Sequence, residues 1–161
     1  MKPLLNKKPP VDIQTIISKY KVGGKMTKDV PCAEADNDLG TLFLKMFWIR
    51  DQAHIFHWQT PNNAQHVILG DFYEAYLEEL DELAEGIFGQ SGKTFTLGKG
   101  RIDLMDYSPE NVLMFLNKAS EIFQNEFPMQ FPNTPLNLGL YHTVGDILEL
   151  INKAKYLNSQ K

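Results

Sequence analysis

The sequence predicts an all-α protein, a four-helix bundle with a long crossover between its second and third helices and a short helix at the N-terminus. Apolar residues recur at helical spacing in four stretches of the chain. A tight turn separates the first two stretches, whereas residues 89–107 separate the second from the third. With 161 residues and 43% hydrophobic content, the chain can bury a core of its own.

The sequence divides into a basic arm, residues 1–32, and the bundle, residues 33–161. Within the arm, residues 11–20 can form a short helix with three isoleucines on one face, which is too short to be stable unless it docks. Gly23-Gly24 and Pro31 then predict a linker between the arm and the bundle.

Charge is distributed unevenly between these two parts. Residues 1–28 carry seven lysines and one aspartate, a net charge of +6, and the remaining residues carry nine basic and nineteen acidic side chains, a net charge of −10. A basic arm can reach phosphates, an anionic surface or the acidic body of its own chain. A solvated leader is the plain alternative.

The first helix is predicted to begin near Asp36 or Asp38, either of which can cap it, and to end before Pro61. Its apolar face continues into two histidines near its end. The stripe consists of Leu39, Leu42, Phe43, Met46, Phe47, Arg50, Ala53, His54 and His57.

The second helix is predicted from Asn63 to Phe88, with Asn62 or Asn63 as its N-cap and with Gly86 and Gly89 marking its end. The connection before it is only a few residues long. The first two helices must therefore be antiparallel neighbours.

Residues 89–107 change in character, and their glycines and Thr/Phe/Leu alternation predict a loop with a short pair of strands. The triplet Gly92-Lys93-Thr94 is not expected to bind nucleotide phosphates. The glycine that a phosphate-binding loop requires earlier is Ile87 here, and a helix rather than a strand precedes the triplet.

Ser108, followed by Pro109, predicts the start of a third helix, which three later prolines should end. A fourth helix should start near Thr143. Two tightly joined helices, a crossover and two further helices form the layout of ferritin-like folds. The two apolar stripes consist of Val112, Phe115, Leu116, Ala119, Ile122 and Phe123, and of Val144, Ile147, Leu148, Ile151 and Ala154.

Composition argues against several classes of protein. No apolar run reaches the ~18–20 residues that a membrane span needs, and the N-terminus has no apolar signal-peptide core. The one cysteine, Cys32, cannot form an intrachain disulfide and has no histidine near it in sequence to make it a nucleophile. The expectation is a cytoplasmic protein without membrane contact.

The stretch from Ala53 to Glu85 holds three of the four histidines and seven of the twenty acidic residues. At ~100° per residue, one stripe of the second helix contains His66, Glu74, Asp81 and Glu85. His66 and Glu85 are about 28 Å apart along the axis, so one helix cannot bring both to one ion. Two copies packed antiparallel could place the histidine of one chain against the two distal carboxylates of the other.

Histidine and carboxylate ligands together suit iron, zinc or manganese. His54 and His57 add two imidazoles from the inner face of the first helix, close to the turn and to His66. The structural alternative is plain. An acidic helix face is usually solvated, and a histidine on an apolar face is more often a hydrogen-bonded core residue than a ligand.

His57-Trp58, a short turn, His66 and then Asp81-x-x-x-Glu85 resemble the signature of Dps proteins, the mini-ferritins that protect DNA during starvation. The wording AHIFHWQT…LGDFYEAYLEELDELAE is also similar to small Dps-like proteins carried by bacteriophages. The specific match covers residues 53–85, and the helical layout extends it loosely over residues 36–158.

The resemblance implies a centre that oxidises Fe(II) and is shared across a two-fold axis. His57 and His66 would come from one chain, and Asp81 and Glu85 from its partner. It also implies iron as the metal, as one ion or a di-iron pair, with zinc or manganese as alternatives. The expected assembly is a homo-oligomer, a dimer at least and a dodecamer as in the family.

The resemblance also places residues around these four. His54 would be a further ligand or lie just behind the ligands, and Trp58 matches the tryptophan beside the Dps site. The chain departs from the family at Gly70, where an Asp normally stands four residues after the second histidine, and Glu74 is the candidate to replace it. No Glu-x-x-His pair occurs, which disfavours a di-iron site within one subunit.

The leading expectation is a Dps-like ferroxidase with iron storage and DNA protection, in the host cytoplasm if the chain is phage-encoded. The lysine-rich arm resembles the tails by which some Dps proteins hold DNA. The alternatives are a non-catalytic helical accessory or structural protein of a phage, which keeps the fold without ferroxidase activity, and a simple DNA-coating protein. The lysines considered for DNA are Lys2, Lys7, Lys8, Lys19 and Lys21.

Overall fold

A computed structural model of the protein describes residues 39–160, apart from residues 93, 96, 98 and 99. The chain divides into two units, Met1–Ala33 and Glu34–Lys161, and the helices below all belong to the second. The predicted arm, its short helix and the two aspartates expected to cap the first helix lie outside the described residues and stay predictions.

Four long helices form an all-α bundle, as predicted. In the contacts around the bundle, α1 packs on α2, α2 on α5, α5 on α3 and α3 on α1. No strand occurs among the described residues, so the short strand pair predicted in the crossover is not seen in the part of that segment that the structure describes. The helices are α1 (Leu39–Gln59), α2 (Asn63–Ser91), α3 (Pro109–Glu121), α4 (Phe127–Gln130) and α5 (Leu138–Ser159).

The buried core fixes the rotation of α1 and α2 about their own axes. Phe56 on α1 and Leu69 on α2 are both fully buried, and each such side chain contributes about 2–3 kcal/mol by leaving water. Each is followed directly by a residue of the candidate site, His57 and Gly70. Because the core residues cannot turn outward, the positions of His57 and Gly70 around their helix axes are fixed as well.

The turn between α1 and α2 ends in the predicted cap. Asn62 Oδ1 accepts hydrogen bonds from the backbone N–H groups of Ala64 at 2.9 Å and Gln65 at 3.2 Å. These are two of the four donors that the start of a helix leaves without helical partners. The cap therefore stabilises the first turn of α2, where His66 lies.

The prediction that Gly86 and Gly89 end α2 was wrong, because both lie inside the helix. The helix ends instead at Gly92, whose φ of 65° places it in the left-handed region that favours glycine. A Cβ on Gly86 would lie 2.9 Å from Leu140 Cδ2, so this glycine allows α5 to approach closely. A glycine permits a helix end but does not require one.

The third helix begins as predicted, and the helical path that it starts continues past Pro128. Ser108 Oγ accepts a hydrogen bond from the N–H of Asn111 at 3.0 Å. A π-helical segment, Ile122–Glu126, follows α3, and α4 begins directly after it. Pro128 therefore lies in the first turn of a new helix, where a missing N–H costs little, and it does not end the helical path.

One further boundary differs from that predicted. α5 begins at Leu138, five residues before the predicted start at Thr143, and it contains Gly139.

Among the described helices, none combines the length and hydropathy needed to cross a bilayer.

Two glutamines on α1 hold the crossover segment against the bundle. Gln52 is fully buried, its Nε2 donates to the carbonyl of Met105 at 2.9 Å, and its Oε1 accepts from the N–H of Met105 at 2.7 Å. Gln59 Oε1 accepts from the N–H of Tyr107 at 2.6 Å, and its Nε2 donates to Asp106 Oδ1 at 2.9 Å. We call this pair of residues the glutamine clamp.

Candidate metal centre

Two of the predicted histidines lie face to face across the hairpin turn. His57 is in the last turn of α1 and His66 is in the first turn of α2, and their ring centroids are 3.8 Å apart with an interplanar angle of 23°. His57 is half-buried, whereas His66 is exposed. The short turn brings them together, as the sequence predicted. We call them the histidine pair.

The pair is held by reciprocal hydrogen bonds. His57 Nδ1 is 2.7 Å from the backbone carbonyl oxygen of His66, and His66 Nδ1 is 2.8 Å from the carbonyl oxygen of His57. A carbonyl oxygen can only accept, so each Nδ1 carries the hydrogen and donates it. Both rings are thus fixed in position and in tautomer.

Pro61 explains why one of these carbonyls needs a side-chain donor. In a continued helix the carbonyl of His57 would accept from the N–H four residues later, but that residue is Pro61, which has no N–H. The imidazole of His66 supplies the missing donor. The residue that breaks the first helix therefore also positions a histidine of the second.

The hydrogen bonds of the pair define what its other nitrogens can do. With both Nδ1 atoms protonated, each neutral ring presents Nε2 as an unprotonated nitrogen with a lone pair. Histidines that bind metals in proteins commonly donate their other ring N–H to a carbonyl in this way, which orients the ring and raises its basicity. Nε2 is therefore the nitrogen of each ring that these two hydrogen bonds leave for another partner.

Gly70 lies directly beside this pair, one turn after His66. A Cβ at Gly70 would lie 3.0 Å from Cε1 of His57 and 3.1 Å from its Nδ1, which is tighter than ordinary van der Waals contact. The imidazole of His57 thus packs on the bare backbone of α2. At this position the sequence departs from the Dps pattern, and the ring of His57 fills the space that a side chain would need.

His54 takes a different position from the pair. Its ring stacks on Tyr73, with centroids 4.2 Å apart and an interplanar angle of 20°, and it lies 4.1 Å from the ring of Trp58. Its centroid is 6.2 Å from that of His57. His54 therefore belongs to an aromatic cluster behind the pair, and Trp58 extends this cluster to the surface with 66% of its area exposed.

Tyr73 is a member of the site that the sequence analysis missed. Its hydroxyl donates to Glu74 Oε1 at 3.4 Å, and partial desolvation, with the charge of Glu74, raises the pKa of its phenol above the ordinary value. Tyr73 follows His66 by seven residues, two helical turns, so the same face of α2 carries both. That spacing was the available signal.

The two distal carboxylates are not near the histidine pair of their own chain. Asp81 and Glu85 are exposed on α2 and lie about 22 and 28 Å along the helix axis from His66. Glu74, also exposed, lies on α2 between His66 and these two carboxylates. In the part of the chain that the structure describes, no three His, Cys, Asp or Glu side chains come close enough to hold a metal ion.

The charged side chains of α2 are all acidic. The helix carries seven acidic residues and no lysine or arginine. Two such helices brought together would repel each other unless cations lay between them. The lysines considered for DNA, Lys2, Lys7, Lys8, Lys19 and Lys21, lie outside the described residues, and their role stays a prediction.

Comparison with known proteins gives one match. Residues 57–157 match the model of a family of unknown function, DUF5856, and this stretch begins at His57 and contains all of α2. A search of curated proteins and a search of solved structures each found no match. The matched residues make up more than half of the 161-residue chain, and the chain therefore belongs to the DUF5856 family.

Proposed function

We propose that two copies of this chain bind Fe(II) between them and oxidise it, with His57 and His66 from one copy and Asp81 and Glu85 from the other. The observation that carries the proposal is the histidine pair, whose Nδ1 atoms are both engaged by carbonyl oxygens. These bonds orient each ring through Nδ1 and leave Nε2 as the nitrogen that a metal would use.

The partner copy is required by distance. Because Asp81 and Glu85 lie more than 20 Å from His66 along α2, they can reach a histidine pair only in another chain. Antiparallel pairing that sets His66 opposite these carboxylates places the two-fold axis near Glu74. Leu77, one turn further along the same stripe, is 39% exposed and supplies apolar surface there.

The ligand set suits iron chemistry. Imidazole binds Fe(II) well, and the carboxylates of the partner favour the more highly charged Fe(III) that oxidation produces. Fe(II) is the substrate, it loses one electron, and oxygen or peroxide accepts that electron. The ferritin-like order of two joined helices, a crossover and two further helices supports the proposal at the level of the fold.

The activity is tested by adding Fe(II) without oxygen, then oxygen or peroxide, and recording the near-ultraviolet absorption of the ferric product. The wild-type protein should form this product faster than buffer does, and His57→Ala and Asp81→Ala should each reduce the rate to that of buffer. His142→Ala is the matched control, because this exposed histidine lies on α5 outside the proposed site. Equal rates for wild type and His57→Ala would exclude the assignment.

The two-fold pairing has its own test. In a chain with Cys32→Ser, a Glu74→Cys variant places one thiol from each copy near the proposed axis, and mild oxidation should link the copies. Glu149→Cys on α5, also exposed, is the control and should link far less. Equal crosslinking of both variants would contradict pairing through α2.

A second candidate is a protein that binds metal but does not oxidise iron, for which Gly70 is the favouring observation. The position where the Dps family has a carboxylate is filled here by the ring of His57, so the site has fewer oxygen ligands. Metal binding without any iron-dependent absorption change would support this second candidate and exclude ferroxidase activity.

DNA protection is the part of the proposal that rests on sequence alone. The arm should hold DNA through phosphates, so affinity should fall steeply with salt. A gel-shift series with the full chain and with a chain lacking residues 1–28 tests it. Equal DNA binding by both chains would show that the arm is not the segment that holds DNA.

A further inference from the structure

We propose that a groove between α2 and α5 binds an aliphatic polyamine, a flexible carbon chain that carries several ammonium groups. The groove is complete within one copy of the chain, so this proposal depends neither on the metal centre nor on a second copy. Its volume of about 380 Å³ is that of a small-molecule site. The residues that line it include Glu82, Gly86 and Gln90 of α2 and Gly139, Leu140 and Thr143 of α5.

Two glycines leave the space in this groove. Gly86 and Gly139 lie within helices and are both exposed, so the backbone of each helix is accessible there. A Cβ on Gly86 would lie 2.9 Å from Leu140 Cδ2, whereas nothing lies within 4 Å of a Cβ on Gly139. The space beside Gly139 is therefore open to a ligand. Leu136 and Leu140 also line the groove, and the methylene groups of an aliphatic chain can pack against them.

Thr143 brings a hydroxyl without a partner to the groove. Only 6% of this residue is exposed, and its hydroxyl makes no hydrogen bond within the part of the chain that the structure describes. Asn158 Oδ1 is the one fully buried side-chain N or O atom without a partner among those residues. The hydroxyl of Thr143 therefore reaches solvent, and it does so in the groove that Thr143 lines. A ligand with an N–H donor would satisfy it.

The two helices run antiparallel along the groove, which places an acid beside this hydroxyl. Gly86 lies against Leu140, and Gln90, one turn later on α2, reaches back to Leu136 on the chain before α5. Glu82, one turn before Gly86, is therefore at the same end as Thr143, which follows Leu140 by three residues. A carboxylate and a hydroxyl at one end of a groove suit an ammonium group.

The opposite end of the groove presents a second acceptor. Gln90 Nε2 donates to the carbonyl of Leu136 at 2.6 Å and to Asn137 Oδ1 at 2.9 Å. Because both amide hydrogens are used, the polar atom that Gln90 has left is Oε1, which can only accept. Gln90 lies about 12 Å from Glu82 along the axis of α2. A linear polyamine can place one ammonium group at each end, whereas a single metal ion cannot.

The charge around the groove favours a polycation. Neither α2 nor residues 131–152 contain a lysine or an arginine. Desolvation, followed by the charges of Asp146, Glu82 and Glu78, raises the pKa of Glu79. These carboxylates thus act on one another across α2 and α5, and the negative potential that they share attracts a ligand with several positive charges.

Calorimetric titration of the full chain with spermidine tests the proposal. The wild-type protein should bind one spermidine per chain, and Gly139→Leu should abolish binding because its side chain fills the open space. Gly145→Leu is the matched control, because it lies on the same helix with nothing within 4 Å of its Cβ, and it should bind as wild type does. Absence of saturable binding to the wild-type protein, or equal binding by Gly139→Leu, would overturn the proposal.

Two conservative variants test the polar end of the groove without filling it. Thr143→Val keeps the shape of the side chain and should weaken spermidine binding about tenfold, and its free energy of unfolding should not fall because the hydroxyl has no partner to lose. Glu82→Gln should weaken binding by at least as much. Glu149→Gln, at an exposed position of α5, is the control for removal of a surface charge. Equal losses of affinity in Glu82→Gln and Glu149→Gln, or unchanged affinity in Thr143→Val, would overturn the assignment of this groove.

Discussion

The glutamine clamp and the histidine pair use the same kind of contact to different ends. Both join polar side chains to backbone groups across two segments of the chain. Gln52 is fully buried and uses both ends of its amide on Met105. His57 and His66 each use one nitrogen internally and keep the other.

The difference separates a structural polar group from a prepared ligand. A buried amide contributes to stability when all its donors and acceptors have partners, because any one left without a partner costs free energy. A ligand must instead be held at one atom and available at another. By this criterion the clamp serves the fold, whereas the histidine pair has the hydrogen-bonding pattern expected of the metal ligands that we propose.

Gln52→Leu should have the largest effect on stability. The variant leaves the N–H and the carbonyl of Met105 without their partner and should lower the free energy of unfolding by about 3 kcal/mol. Urea denaturation measures it. Gln59→Leu is the control and should cost about 1 kcal/mol, because Gln59 is exposed and water can replace it. If the free energy of unfolding of Gln52→Leu matched that of wild type, the clamp would not have the structural role assigned to it.

His66→Ala should instead affect metal binding more than stability. Because His66 is exposed, we expect a change of less than about 1 kcal/mol in the free energy of unfolding, and the affinity for Co(II) should fall by more than about 100-fold. Calorimetric titration and urea denaturation of the same sample measure both. A large loss of stability with unchanged affinity would mean that the histidine pair is structural, like the clamp.

Asn62→Ala tests whether the hairpin turn connects stability to binding. Loss of the cap should cost about 1 kcal/mol in the free energy of unfolding, because two N–H groups of α2 lose their acceptor. Since His66 lies in this first turn, Co(II) affinity should fall as well, but less than in His66→Ala. Affinity equal to wild type would show that the pair is positioned without the cap.

Glu79→Gln should have the smallest effect on the free energy of unfolding. Glu79 belongs to neither the glutamine clamp nor the histidine pair. Desolvation, followed by the charges of Asp146, Glu82 and Glu78, raises the pKa of Glu79 in the folded protein. A carboxylate whose pKa is raised by folding destabilises the fold when it is charged, and this cost is lost as pH falls and the group is protonated. The variant should therefore raise the free energy of unfolding at neutral pH by up to about 0.5 kcal/mol.

Comparing neutral with acid pH checks this sign. The difference between Glu79→Gln and wild type should vanish where Glu79 is protonated. Glu149→Gln, a change at an exposed position of α5, serves as the control for removal of a surface charge. A stabilisation by Glu79→Gln that persists at acid pH would exclude the electrostatic explanation.

The features that could be predicted from sequence were those decided locally. The caps at Asn62 and Ser108 depend on one side chain and the following turn, and both were predicted. Gly86, Gly89 and Pro128 were misjudged because they permit a helix end without imposing one, and packing or a π-helical segment decided otherwise.

The candidate site could be predicted only in part for a related reason. The proximity of His57 and His66 follows from a short turn, whereas their reciprocal hydrogen bonds depend on side-chain rotamers. Gly70 read in sequence as a missing ligand, and the structure shows it as the surface on which His57 packs. The roles of Asp81 and Glu85 depend on a second copy and remain a proposal.

Complementation between two defective chains tests the shared site most directly. One chain carries His57→Ala and His66→Ala, and the other carries Asp81→Ala and Glu85→Ala; each alone should bind no Co(II). A heterodimer purified with two different affinity tags has one intact site and one doubly defective site. It should therefore bind Co(II) at about half the wild-type capacity, as expected for a two-fold symmetric interface. A heterodimer that binds no Co(II), under conditions where the wild-type dimer does, would contradict the central claim that the site is built from two chains.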